Sequence, residues 1–167
     1  MTETTFGSAR SEAFEPGDHF HDRERWDEQQ PEGPHIWRTL GYRRTSWEPG
    51  RQVIEWDAQE DYAFPTQSGY IVHGGMVATV LDSAMGGACW TLLDRGDAFL
   101  TADLRVEFLR TTRPGRLTAE GRVIRRAKRV IFCAAELLDD SGALLATARC
   151  TQIVLPAEGA AGRPPKR

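Results

Sequence analysis

Cysteine is scarce and scattered. Cys89, Cys133 and Cys150 are odd in number and form no CxxC pair, which excludes a disulfide framework and a zinc knuckle. Each sits among apolar or small neighbours, where a reduced and buried thiol is expected. No run of about 18 apolar residues occurs, so no membrane-spanning helix is expected. Met1 to Arg10 are polar and lack the apolar centre of a secretory signal. With reduced thiols, this makes a cytoplasmic location the default expectation. A basic excess is also missing. The 21 Lys and Arg stand against 24 Asp and Glu, a net charge of −3, which argues against a general nucleic-acid binder. There is no G-x-S-x-G elbow for a serine hydrolase, and neither a P-loop nor a G-x-G-x-x-G turn for a nucleotide. His19 and His21 lie in Asp18-His19-Phe20-His21-Asp22. In an acidic arm they read as an adventitious metal trap, so no metal and no cofactor is expected.

What is present is an ordinary globular balance, 40% hydrophobic and 27% charged over 167 residues. That is one domain's worth of chain. Residues 1–33 read as an acidic, flexible arm, mobile or loosely docked. Ser11 to Gln30 carry seven acidic residues against two arginines, too little apolar area to offset ordering. Phe14, Phe20 and Trp26 are candidates to pin it. Residues 34–156 form the domain, and 157–167 read as a frayed tail.

Inside the domain, Pro34 to Leu40 suggest a short helix. Tyr42–Trp47 and Gln52–Ala58 read as strands around a Glu48-Pro49-Gly50 turn. Gln59 to Val72 read as a long connection. From Gly74 to about Leu93, Val77, Leu81, Ala84, Ala88 and Leu92 recur at spacings of three and four. They make one apolar face of a long helix, which Gly96 is expected to end. Thr101–Leu109 alternates strictly. Ala102, Leu104, Val106 and Phe108 form the expected inner face, and Thr101, Asp103, Arg105 and Glu107 the outer one. Strands at 116–126, 129–139 and 143–155 follow on short turns, so neighbours should be antiparallel. The expected fold class is α+β, an antiparallel sheet of five or six strands wrapped on one long helix.

The informative segment is Gln67 through His73-Gly74-Gly75, followed by Asp82. Gln67 stands six residues before His73, and Asp82 nine after it. With Thr101, Val106-Glu107-Phe108-Leu109, Pro114-Gly115 and Asp140-Ser141-Gly142 in order, residues 36–155 resemble the PaaI-type hotdog-fold acyl-CoA thioesterases. The resemblance implies hydrolysis of acyl-CoA to free acid and CoA, with no cofactor beyond the CoA of the substrate. It implies a homodimer or a homotetramer built as a dimer of dimers, while charge and the lack of a long apolar run leave no nucleic acid and no membrane among the expected partners. It also implies sites shared between subunits, with Gln67 and Gly74 of one facing Asp82 and Thr101 of the other.

The chemistry is readable from residue types. The first N–H groups of a helix have no internal partner and face outward at its positive end. Glycine at 74 and 75 lets a carbonyl approach that backbone. Such donors can hold the oxyanion of a thioester under attack, and the resemblance points to the Gly74 N–H. Asp82 can activate water or attack the thioester carbon itself. By resemblance, Gln67 holds the thioester or the water through its amide, His73 orders the loop rather than taking the proton, and Thr101 orients the water. Ser83 is a second hydroxyl beside Asp82. The basic corner around Arg125, Arg126, Lys128 and Arg129 suits the phosphates of CoA, or is a solvated face. Gln67 and the tryptophans Trp26, Trp37, Trp47, Trp56 and Trp90 tilt the acyl group toward aromatic or medium-chain types, or serve packing. The competing expectation is a hotdog protein that binds acyl-CoA as a sensor without cleaving it. A hotdog hydratase would need a paired Asp and His on another spacing, which is not found.

Overall fold

The computed structural model describes residues 13–22, 25, 28–29 and 33–157. In chain order these form helix α1 (Asp18–His21), helix α2 (His35–Leu40), β1 (Tyr42–Glu48), β2 (Arg51–Ala58), a 3-10 turn (Glu60–Tyr62), β3 (Ala63–Thr66), β4 (Gly69–Val72), the long helix α3 (Gly74–Trp90), and then β5 (Ala98–Phe108), β6 (Gly115–Ala127), β7 (Val130–Asp139) and β8 (Leu144–Leu155). Six strands make one antiparallel sheet in the order β1-β2-β6-β7-β8-β5. The sheet curls around α3, which packs mainly on β6 and also on β2 and β7.

The expected apolar face of α3 is buried throughout. Val80, Met85 and Cys89 are buried as well. A helix covered by a curved sheet loses more of its circumference to the core than one resting on a flat sheet. Close approach is purchased with glycine. Gly121 of β6 lies against the α3 backbone, where a Cβ would run into the carbonyl of Ala84.

Both ends of the helix are answered by groups from elsewhere, as buried termini require. At the start, His73 is the N-cap, its Nδ1 accepting the Gly75 N–H at 3.0 Å. At the end, the helix stops at Trp90, short of the expected Leu93. The Thr91 hydroxyl donates to Ala88 O at 2.6 Å and accepts the Gly50 N–H at 2.7 Å. That bonding competes with another helical turn. Gly17 N–H then donates to Thr91 O at 2.9 Å, and His19 N–H to Leu93 O at 3.2 Å.

Those last donors come from the N-terminal arm, whose residues 14–20 are therefore docked rather than loose. His19 is buried and stacks on Trp90 with ring centres 3.9 Å apart. Phe20 lies 5.8 Å from Trp47, and Phe14 packs at the edge of the core. Trp26 and residues 158–167 lie outside the described residues.

Two other expectations are corrected. The stretch 59–72 holds a 3-10 turn and the hairpin β3–β4, because Ala63–Thr66 can pair with Gly69–Val72 across a tight Gln67-Ser68 turn. Within β5, a bulge between Thr101 and Asp103 breaks the alternation. A bulge adds one residue and reverses which face follows. Thr101 pairs with Gln152 and Leu104 with Cys150, and both partners are buried. Thr101 thus shares the helix-facing side with Leu104, not the outer side that uninterrupted alternation assigns it.

The Gly121→Ala variant should lose about 2–3 kcal/mol through overpacking. Thermal unfolding should show a drop of roughly 5–10 °C. An unchanged melting temperature would mean that β6 and α3 can separate without cost.

Candidate active site

One side of α3 escapes the sheet. Thr79, Asp82, Ser83, Gly86 and Trp90 recur along it at spacings of three and four and form one wall of a groove of about 1270 Å³. Trp37, Trp47 and Phe99 line it too. Of the tryptophans singled out from sequence, Trp37, Trp47 and Trp90 border this groove, while Trp56 is fully buried in the core. Gly86 allows the Phe99 ring to lie close against the helix. The Gly87 carbonyl holds the Trp47 indole N–H at 3.2 Å. The groove is concave and mostly apolar in surface, with aromatic side chains beside polar ones that include Arg38, Arg43 and Arg44, a character compatible with a small-molecule site.

Asp82 is the carboxylate in that wall. It is half-buried, and burial raises its pKa above the ordinary carboxylate value. The Thr101 hydroxyl, 3.0 Å from Oδ1, pulls the other way by bonding the ionised form. Asp82 and Thr101 therefore meet within one chain. Ser83 lines the groove beside Asp82, with its carbonyl accepting the Gln52 amide at 3.2 Å.

The helix start is a separate place. The Gly75 N–H is occupied by His73 Nδ1, so Gly75 is not a free donor. That bond uses the Nδ1 lone pair, which leaves His73 as an ordering residue at that nitrogen. The His73 N–H is itself tied to Tyr62 O at 2.8 Å. Among the described residues the Gly74 N–H meets no backbone acceptor. The Phe108 ring lies over Gly74, close enough to crowd any added Cβ. Asp82 follows Gly74 by eight residues, about 12 Å along the helix axis. One carbonyl cannot touch both within a single chain.

Gln67 occupies the exposed tip of the β3–β4 hairpin. The Arg113 guanidinium steadies this tip by donating to Ser68 O at 2.8 Å. No hydrogen bond joins Gln67 to Asp82 or Thr101 among the described residues. Arg125, Lys128 and Arg129 are exposed at the β6–β7 corner. Arg126 is not available in the same way. Its guanidinium turns inward and donates to Leu92 O just beyond the helix end, a favoured place for a cation.

Sequence reasoning missed Gln152. It is completely buried, with its side-chain oxygen 3.1 Å from the Thr101 hydroxyl. The available signal was phase, because Gln152 alternates in step with Ala148, Cys150 and Val154, all buried. All three cysteines are buried thiols. No cluster of three metal-ligating side chains occurs among the described residues, and no described helix is long and apolar enough to cross a membrane.

With this geometry in place, comparison with known proteins is informative. Residues 69–146 match the family model of the thioesterase superfamily. A Saccharolobus solfataricus protein named as an esterase is 33% identical over 113 residues, covering 68% of this chain and 78% of that one. The medium/long-chain acyl-CoA thioesterase YigI of Escherichia coli is 32% identical, covering 50% of this chain and 63% of that one. The Escherichia coli PaaI protein superposes with a TM-score of 0.71 at 21% identity, over 82% of this chain and 96% of that one. That last likeness establishes the shared fold.

The raised pKa of Asp82 has a consequence for stability. A carboxyl whose folded pKa exceeds its unfolded value favours the fold at low pH, and that benefit is lost as pH rises through the folded pKa. Asp82→Asn should therefore melt higher than the parent at pH 7. The difference should vanish below about pH 4, where the unfolded carboxyl is also protonated. Melting curves at the two pH values check this, and a lower melting temperature at pH 7 would refute it.

Proposed function

The chain belongs to the thioesterase superfamily and has the PaaI-type hotdog fold, and on that premise we propose that it hydrolyses aromatic or medium-chain acyl-CoA thioesters to the free acid and CoA. One observation carries the reading. Asp82, a half-buried carboxylate steadied by a hydroxyl, stands in the wall of a largely apolar groove that Trp37, Trp47, Trp90 and Phe99 help to line. The acyl group would lie along Trp37, Trp47, Trp90 and Phe99, and the thioester carbon would come to rest near Asp82.

Two roles for the carboxylate are chemically open, and the geometry favours general base. Thr101 holds Oδ1, leaving Oδ2 to take a proton from water. The hydroxide adds to the thioester carbon, and the carbonyl electrons move onto oxygen. Collapse of that intermediate breaks the carbon–sulfur bond and releases CoA thiolate, while the acid remains in the groove. A pKa raised by burial makes Asp82 a better base than an exposed aspartate.

The oxyanion requires a donor, and the Gly74 N–H of the same chain is about 12 Å away along the axis. A second subunit resolves this. In the single chain, β5 is an edge strand of eleven residues. Leu100 is 59% exposed and Phe108 56%, a long apolar edge of the kind that proteins cover. Pairing two β5 edges joins two sheets, so that the partner's Gly74 and Gln67 can approach Asp82 and Thr101. Arg125, Lys128 and Arg129 are the groups proposed to meet the CoA phosphates. Arg126 is left out because it closes the helix end.

Free-thiol release should be measured on aromatic, short-, medium- and long-chain acyl-CoAs. The parent should turn over aromatic or medium-chain members best. Asp82→Asn should bind them and lose turnover by at least about 10²-fold. Tight binding by the parent with no thiol release on any member would favour a sensor.

A charge on the edge should separate subunits. Leu104→Lys should sediment as a folded monomer and release thiol at least tenfold more slowly, whereas full activity in a monomer would overturn the shared site.

A further inference from the structure

The Thr101 hydroxyl sits between two oxygens. Its Oγ1 is 3.0 Å from Asp82 Oδ1 and 3.1 Å from Gln152 Oε1. A hydroxyl has one proton, and an ionised carboxylate can only accept. Both contacts can be satisfied together only if the Gln152 amide is turned, so that its NH₂ faces Thr101. Nitrogen and oxygen of an amide are assigned by such accounting.

The turned amide is also satisfied at its other end. Gln152 has a second neighbour, Cys150 Sγ, at 3.1 Å. Turning the amide places its oxygen there, able to accept the Cys150 thiol proton. Cys133 is the cross-strand partner of Cys150 and is hydrogen-bonded to it. That bond and burial push the Cys133 thiol far up, so it keeps its proton. The direction then becomes consistent throughout. The Cys133 thiol donates to Cys150, Cys150 to the Gln152 oxygen, the Gln152 NH₂ to Thr101, and Thr101 to Asp82. A chain in which each bond points the same way is polarised along its length.

Resting on the thioesterase reading above, we propose that Gln152 is a positioning residue for the reaction. By occupying a lone pair of Thr101, it compels the hydroxyl to give its only proton to Asp82 Oδ1. Oδ2 is thereby left as the basic atom facing the groove. Gln152 does not line the groove among the described residues. It acts through Thr101, from a completely buried position on β8.

The test is a double-mutant cycle on Thr101→Val and Gln152→Met, with two readouts. The first is the Asp82 titration midpoint, followed by the ¹³C shift of its carboxyl carbon. The second is kcat and KM for thiol release. Gln152→Met should raise the Asp82 midpoint by about one pH unit and lower kcat about tenfold, with KM within about twofold. Thr101→Val should do at least as much. The double variant should match Thr101→Val alone, because Gln152 has no path to the carboxylate without the hydroxyl. Additive effects in the double variant, or an unmoved midpoint in folded Gln152→Met, would overturn the proposal. If Gln152→Met does not fold, Cys150→Ala removes the donor that fixes the amide. It should shift the midpoint the same way by a smaller amount, and no shift there would also overturn the idea. The titration needs no turnover, so a parent that shows the midpoint shifts without cleaving acyl-CoA would refute the thioesterase reading and leave the relay standing.

Discussion

A helix sunk into a curved sheet must have the backbone groups at both its ends answered by protein rather than water. Much of this molecule follows from that requirement. The sheet buries α3 on several sides, so the carbonyls of the segment that leaves its end, Thr91 to Leu93, need donors from distant parts of the chain. Gly17, His19 and Arg126 supply them, from the N-terminal arm and from the β6–β7 corner. At the other end His73 caps with its ring, and in doing so consumes the Gly75 N–H. The Gly74 N–H is thereby singled out as a donor still open to a ligand. Closing the helix and leaving open the N–H proposed to hold the oxyanion are the same event.

The same burial sets the chemistry of Asp82. A carboxylate on the one side of the helix not covered by sheet is partly desolvated without being sealed in. Its pKa rises while its second oxygen remains reachable from the groove. A fully exposed position would give an ordinary acid, and a fully buried one would exclude water. The cost falls on stability at neutral pH, a trade that fits the role proposed for Asp82, since folding alone would not choose this position for a carboxylate.

The long helix, its buried stripe, the turns and the four closing strands were legible because each produces a regular period or a turn signature. Val77, Leu81, Ala84, Ala88 and Leu92 are all buried as their spacing requires. The hairpin 63–72 was hidden because Pro65, Ser68 and Gly69 read as breakers, whereas pairing between its short arms overrides local preference. The docking of the arm was legible only in its pins, Phe14 and Phe20, which both pack on the body. Its composition is acidic and poor in aliphatics, and what holds it is backbone bonding to a helix end together with His19 stacked on Trp90. Asp82, Thr101 and Gly74 were nominated through spacing and family resemblance. Gln152 was missed, since a glutamine in a strand has no signature until its neighbours are known to face inward.

Ala102, the extra residue of the β5 bulge, matters as a count rather than as a side chain. On its N-terminal side odd-numbered residues face the helix, and on its C-terminal side even-numbered ones do. The strand is two rulers joined out of step, and Thr101 sits on the last inward mark of the first. Removing Ala102 would join the two rulers in step and leave Thr101 on its inward mark, still paired with Gln152. Comparison with relatives inherits that count. In a homologue whose strand runs uninterrupted, the equivalent hydroxyl would stand one column away from Thr101, and reading straight down an alignment would report it missing.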